Sequence, residues 1–422
     1  MSIQSRSLSP PAELRVVALT AVALALFTGS WIALHHGWLH RGEIVDTPVY
    51  EKYGDAMASG EVPYRDFSVE YPPGALPVFV LPALGNEGDV DAYRGAFEAL
   101  MVVCGMALLV ALAFGLTALG VAPLTLFGAL ALAAVAPLLL GSVVLSRFDL
   151  WPAALTATAL AALLSGRFRI GHGLLGAGVL VKLWPGVLLP LALAHVWRTR
   201  GRREAFVCLG VFMAVVVPVV LPFFMLAPHG VWTSFERQLS RPLQVESLGA
   251  ALMVASHHLF GTGVTMVSSR GSQNISGTAA NVVSWLQTVL QLGVLVALWI
   301  TFARRRRTRD ELVQFAAVAV VAFIALGKVL SPQFMIWLIP FVPLVRRRSA
   351  VVLFVAALVL TQAWFPQHYW SYALQFSEPE SWLVLARDGV LLALLAVLVI
   401  PPGSFRAAAA ARARRRVSSS PA

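Results

Sequence analysis

Apolar runs recur along this chain at about the 17–25 residues a helix needs to cross a bilayer, and two kinds of break separate them. One kind is a short arginine cluster; the other is a turn carrying acids, lysine, histidine or proline. The first run, Leu14 to Leu34, is longer than a signal-peptide core and lacks a small-residue cleavage site, so it reads as a retained span. Further spans are expected from Ala92 to Phe114, from Val121 to Val143, after the turn Ser146-Arg147-Phe148-Asp149 to about Leu164, and from Ala205 to Leu226, Val282 to Phe302 and Leu312 to Leu326. Phe334 to Val345, Val351 to Phe365 and Leu383 to Ile400 complete the series. Ala75 to Leu84 is too short to cross alone and reads as re-entrant or interfacial. Gly171 to Trp197 has basic clusters at both ends, yet its roughly 26 residues are short for two crossings. Lys182-Leu183-Trp184-Pro185 breaks it, because proline cannot continue a helix without losing a hydrogen bond. It reads as two short helices forming a V, with Lys182 near the apex.

The arginine clusters at Arg167/Arg169, Arg198–Arg203, Arg304–Arg307 and Arg346–Arg348 fall on alternate breaks. Under the positive-inside rule this puts them, and both termini, on the cytoplasmic side. The expected fold is all-α: a polytopic membrane helical bundle of roughly 12 membrane segments. It forms one domain over residues 1–403, followed by a basic cytoplasmic tail, 404–422. Two large segments face the other side, 35–90 and 228–281. In the second, Trp232 to Phe260 mixes apolar residues at helical spacing with Glu236, Arg237, Arg241 and Glu246, as an interfacial helix would. Ser268 to Thr278 is rich in Ser, Gly and Asn and reads as a mobile loop.

Composition agrees with the pattern. Hydrophobic residues are 58% of 422, charged residues only 13%, and mean hydropathy is +0.76, whereas a soluble domain is about one quarter charged. The net charge of +11 sits in clusters flanking spans, so no nucleic-acid partner is implied. Cys104 and Cys208 both lie in apolar runs and read as buried thiols. Without a Walker motif or a strand-borne GxGxxG there is no case for a cytosolic nucleotide.

The acids are unevenly placed: of 21 in the chain, eleven lie between Glu43 and Glu98. A general base must reach the hydroxyl it deprotonates. Asp46, about a dozen residues beyond the first span and just before Pro48-Val49-Tyr50, is the first choice; Glu70, beside Tyr71-Pro72-Pro73, is the second. Asp55 and Asp66 rank below them. Lysine occurs only at 52, 182 and 328. Lys182 and Lys328 interrupt apolar stretches next to a proline, where a cation normally has a partner; snorkelling to the headgroups is the alternative. Together they suggest a site for a lipid phosphate, with Arg147 adding a bidentate contact or pairing locally with Asp149. His35, His36, His40, His257 and His258 lack the spacing of a zinc site and read as polar anchors. His368, in an aromatic loop, is a candidate ligand contact.

Six short motifs occur in order: Val45-Asp46…Tyr50, Pro63-Tyr64-Arg65-Asp66-Phe67, Glu70-Tyr71-Pro72-Pro73, Arg147-Phe148-Asp149, Lys182-Leu183-Trp184-Pro185 and Ser331-Pro332-Gln333-Phe334. In these the chain resembles the family 87 glycosyltransferases of the GT-C superfamily, multi-span enzymes that use polyprenyl-phosphate sugars. The resemblance implies a GT-C-like bundle with a large first extracytoplasmic loop. It also implies a cell-membrane hexosyltransferase whose acceptor is a glycolipid or polysaccharide hydroxyl, with mannose the first choice of sugar. Asp46 would then be the base, and Lys182, Lys328 and Arg147 the donor-phosphate contacts. Tyr50, Tyr64, Tyr71, Gln333 and His368 would line the substrate site. No second Asp adjoins Asp46, unlike superfamily members whose loop holds a metal, so no metal and no cofactor is expected. The rival is a transporter or flippase of a lipid-linked or anionic substrate, since broken helices and intramembrane lysines also suit transporters.

Overall fold

The computed structural model describes residues 10–36 and 45–400. Glu43, His40 and the basic tail 404–422 lie outside the described residues. What is described is a helical bundle with one small sheet at one end. Six helices are long and apolar enough to cross a membrane: Glu13–Ala33, Val90–Ala118, Pro123–Leu140, Arg202–Leu226, Thr278–Ala303 and Glu378–Val399. Arg348–Trp364 and Tyr369–Gln375, bent by 79°, add a seventh if taken as one broken span. Five shorter apolar helices fill the bundle among them.

Local chemistry sets the ends of these helices. Asp89 accepts the Ala92 N–H at 3.0 Å and so caps Val90–Ala118. Thr308 and Glu311 form a reciprocal capping box at the head of Arg309–Ala325. The expected V is present: Phe168–Val181 stops at Lys182, Trp184–Leu188 is a 3₁₀ turn, and Leu189–Arg200 returns.

Helix Val90–Ala118 packs on Leu150–Leu164, which packs on Phe168–Val181. Thr278–Ala303 and Arg202–Leu226 stand at the periphery, with only 17% and 11% of their apolar windows buried. The arginine clusters gather at one end. There Arg198 reaches the Ala303 carbonyl at 2.8 Å, Arg309 the Ala118 carbonyl at 3.1 Å, and Arg347 the Ile400 carbonyl at 2.8 Å.

The opposite end is built by the two polar segments. In the first, Thr47–Ala58 is helical, Pro63 bridges to Phe67, and a 3₁₀ turn at Pro73–Ala75 leads into helix Leu76–Ala83. That last helix packs on Thr47–Ala58 and on Val90–Ala118.

The second segment corrects two expectations. The single interfacial helix over 232–260 is instead two helices, Pro228–Leu239 and Leu248–Phe260, separated by strand β1 (Leu243–Gln244). The Ser/Gly/Asn stretch is a hairpin of β2 (Thr265–Ser269) and β3 (Ser272–Ser276), with β1 paired along β3 in the order β1-β3-β2. Its two-residue turn, Arg270-Gly271, has φ of +52° and +70°, the geometry that matches strand twist.

The two segments touch at Gly230, where a Cβ would lie 1.9 Å from the Tyr64 carbonyl oxygen. Because that neighbour is backbone, it cannot swing away. Gly230→Ala is expected to destabilise the protein by about 1–3 kcal/mol, the usual cost of overpacking, as a lower melting temperature in detergent. An unchanged melting curve would show that the two segments are only loosely docked.

Candidate active site

Three cations and three carboxylates meet beneath the polar segments. Asp46 stands at the head of helix Thr47–Ala58 without capping it, which leaves its carboxylate available to other groups. It pairs with Arg147 and accepts the Tyr50 hydroxyl at 3.3 Å. Its side chain is 32% exposed and that of Arg147 only 6%, so the acid is the solvent-facing member of the pair. Arg147 lies in the turn after a 3₁₀ segment, Ser142–Leu145, and before helix Leu150–Leu164.

Arg147 was open to local pairing with Asp149 on sequence grounds. Asp149 is instead the partner of Lys182, at 2.7 Å, and also accepts the Trp337 indole N–H at 2.5 Å. Lys182 thus does not snorkel. It ends helix Phe168–Val181 in an extended conformation, φ −156° and ψ 139°, and its amine points into aromatic surroundings. The Phe148 and Trp337 ring centroids lie 4.7 and 5.4 Å from it, within cation–π range. A half-buried lysine held by one buried carboxylate and three rings, Tyr71 being the third at 6.0 Å, meets the requirement that a desolvated charge be paired.

The third pair, Arg241 with Glu70, is looser, at 3.7 Å. Arg241 follows helix Pro228–Leu239, and its charge acts on both Lys182 and Tyr71. Arg147 likewise acts on Lys182.

An aromatic wall closes one side. Tyr50 stacks on Phe79 with centroids 4.8 Å apart and meets Tyr71 and Phe148 edge-on at 6.0 and 5.5 Å. Trp184 and Phe334 both stack on Trp337.

Tyr64, at φ +68°, is buried and donates its hydroxyl to the Tyr71 carbonyl at 2.6 Å, tying the loop to itself. Gln333 is half-buried in the 3₁₀ turn Pro332–Leu338, next to the Phe334 that stacks on Trp337. His368 faces Glu380 at 3.7 Å. Lys328 donates to the Leu239 carbonyl at 3.1 Å, and the charge acting on it is that of Arg270. Asp55 accepts the Gly88 N–H at 3.3 Å. Asp66 is tied into its own turn, and its hydrogen bonds from Arg65 and the Val62 N–H hold its carboxyl down at about 2.

Two groups of charges were missed. Arg241 was read as one position on an amphipathic helix. Helical spacing puts Glu246 on the same interfacial helix, yet it is buried beside Gln244, within the fields of Arg387 and Arg147. Burial pushes its carboxyl up to about 8. Arg387, itself buried, pairs with Asp388 at 2.7 Å and donates to the Glu246 carbonyl at 2.8 Å. Charged residues inside an apolar run are a recognised functional signal, so Arg387-Asp388 was there to be found. Among the described residues no cluster of three or more His, Cys, Asp or Glu could hold a metal ion.

A bundle of spanning helices that gathers paired charges and aromatic rings at one end defines a membrane protein with a polar site at its rim. The model of glycosyltransferase family 87 matches residues 69–332, and the chain belongs to that family; it is a membrane glycosyltransferase. The matched stretch contains Glu70, Arg147, Asp149, Lys182, Arg241 and Lys328, and begins after Asp46. No curated protein matches the chain at a significant level. Among solved structures it is similar to ArnT from Cupriavidus metallidurans bound to undecaprenyl phosphate, with TM-score 0.47, 15% identity, and 91% of this chain and 76% of that one covered. It is also similar to the apo oligosaccharyltransferase of Archaeoglobus fulgidus, with TM-score 0.46 and 13% identity; the match covers 90% of this chain and 54% of that one.

Proposed function

We propose that the chain transfers a hexose, mannose being the first choice, from a polyprenyl-phosphate donor to a glycolipid or polysaccharide hydroxyl outside the cytoplasm. The observation that carries this reading is the Asp46–Arg147 pair: a part-exposed carboxylate beside a buried cation, with Lys182 and Arg241 close by.

Asp46 takes the proton of the acceptor hydroxyl as that oxygen bonds to the anomeric carbon. The bond from that carbon to the phosphate oxygen breaks, the electron pair stays on the lipid phosphate, and configuration inverts. The cations stabilise the charge that grows on the leaving phosphate. Arg147 also gives the step an order. While it holds Asp46 it makes that carboxylate a poor base, and a donor phosphate that draws the guanidinium away restores basicity only when a donor is present.

Reconstituted protein given a radiolabelled polyprenyl-phosphate hexose is expected to form a labelled acceptor product. Protected translocation of an unchanged donor would favour the transporter reading, against which family membership already weighs.

The side of the membrane rests on the gathering of arginines at the end away from the site. A cysteine placed at exposed Asp66 should react with a membrane-impermeant maleimide added to intact cells, and one at Arg167 should not. Cys104 and Cys208 are buried and give little background. The reverse labelling pattern would overturn the proposed orientation.

A further inference from the structure

We propose that Arg241 is a third cation for the donor's phosphate, and that Lys328 serves this site only through Arg241, as a positioning residue. The inference rests on the polyprenyl-phosphate reading above and goes beyond it in assigning both residues.

The residues around Arg241 are held from several directions. Gln238 donates its amide N–H to the Glu70 carbonyl at 2.8 Å, and Lys328 donates to the Leu239 carbonyl at 3.1 Å. Arg270 donates to the Ser240 carbonyl at 2.9 Å. Beyond Pro242, Leu243 and Gln244 pair in register with Ile275 and Asn274, and the Gln244 N–H reaches the Lys328 carbonyl at 3.0 Å. The backbone on both sides of Arg241 is therefore pinned, while its side chain pairs, among the described residues, with a loose carboxylate partner, Glu70 at 3.7 Å. That side chain is 17% exposed and Glu70 is 32% exposed. A guanidinium on a fixed frame is preorganised for bidentate contact with phosphate, and a part-exposed ion pair yields readily to a stronger anion.

Lys328 is placed differently. Its amine sits on the last carbonyl of helix Pro228–Leu239 and Arg270 on that of the C-cap Ser240, where cations end helices. The charge it feels is that of Arg270, whereas Arg241 acts on Lys182. Lys328 thus braces the turn from which Arg241 projects.

The test measures binding of a polyprenyl monophosphate to the purified full-length protein, with inorganic phosphate in parallel. Arg241→Met is expected to weaken binding about tenfold or more, the scale of one lost charged hydrogen bond, with Arg241→Lys recovering part of it. Lys328→Met should weaken binding less, and should add nothing in the Arg241→Met background. Glu70→Gln, which removes the competing carboxylate, should leave binding equal or tighter; that variant guards against a folding defect in Arg241→Met.

Wild-type affinity in Arg241→Met would overturn the proposal. So would additive losses in the double variant, which would put Lys328 on the phosphate itself. If wild-type protein binds no polyprenyl phosphate, the donor reading fails and this inference goes with it. If it binds inorganic phosphate equally well, the site reads phosphate without its lipid, and the cation assignment is still judged by the variants.

Discussion

Asp46→Asn is expected to lower turnover by about 10²–10⁴-fold, the usual contribution of a positioned general base, while donor binding holds or tightens. Asn preserves the size of the side chain and can still accept the Tyr50 hydroxyl, now 3.3 Å from the carboxylate. It cannot take the acceptor's proton. It also cannot hold Arg147 as an ion pair, which removes one competitor of the donor phosphate for the guanidinium. The two effects move kcat and donor affinity in opposite directions, which a folding defect would not do. The measurement is kcat and donor KM in proteoliposomes. Turnover at the wild-type rate would remove Asp46 from the role and pass it to Glu70, whose substitution is otherwise expected to act on binding through Arg241.

Lys182→Met is expected to destabilise the protein by about 3–5 kcal/mol, because it leaves a buried carboxylate without its counter-charge. Asp149 is 0% exposed and, among the described residues, would keep the Trp337 N–H as a donor and the more distant charge of Arg147, but not its direct cationic partner. The second substitution is the informative one. Adding Asp149→Asn removes the stranded charge while keeping an acceptor for Trp337, so most of the lost stability should return. Donor binding should not return if the Lys182 charge meets the phosphate. Melting temperature and donor affinity measured on both variants separate the two roles. Recovery of stability and binding together would make Lys182 purely structural.

The all-α membrane bundle, the V at Lys182 and the polar rim were legible because each follows from a strong local signal: apolar run length, proline, arginine asymmetry. The partners at the site were not. Sequence adjacency favours Arg147 with Asp149, but the pairs that form are Asp46 with Arg147 and Asp149 with Lys182, and loop closure across the bundle decides them. The Arg241 turn was hidden by apolar residues at helical spacing on both sides, although Pro242 marks the break. The hairpin was hidden by composition. Ser, Gly and Asn suggested a loop, whereas Arg270-Gly271 between two five-residue segments satisfies the two-residue turn that joins strands.

The two peripheral spans bear on where such a protein is at home. Arg202–Leu226 and Thr278–Ala303 contain 25 and 26 residues, about 38 Å of helix at 1.5 Å per residue, against a hydrocarbon core of about 30 Å. Helices embedded in protein have their tilt set by neighbours, but these two are covered by the rest of the described protein over only 11% and 17% of their apolar windows. Bilayer thickness therefore sets how steeply they lean. The helix Arg202–Leu226 runs directly into Pro228–Leu239 and the Arg241 turn, so acyl-chain length becomes a handle on the rim of the site. Activity should vary across a series of phosphatidylcholines differing only in chain length, with donor affinity, rather than protein stability, changing first.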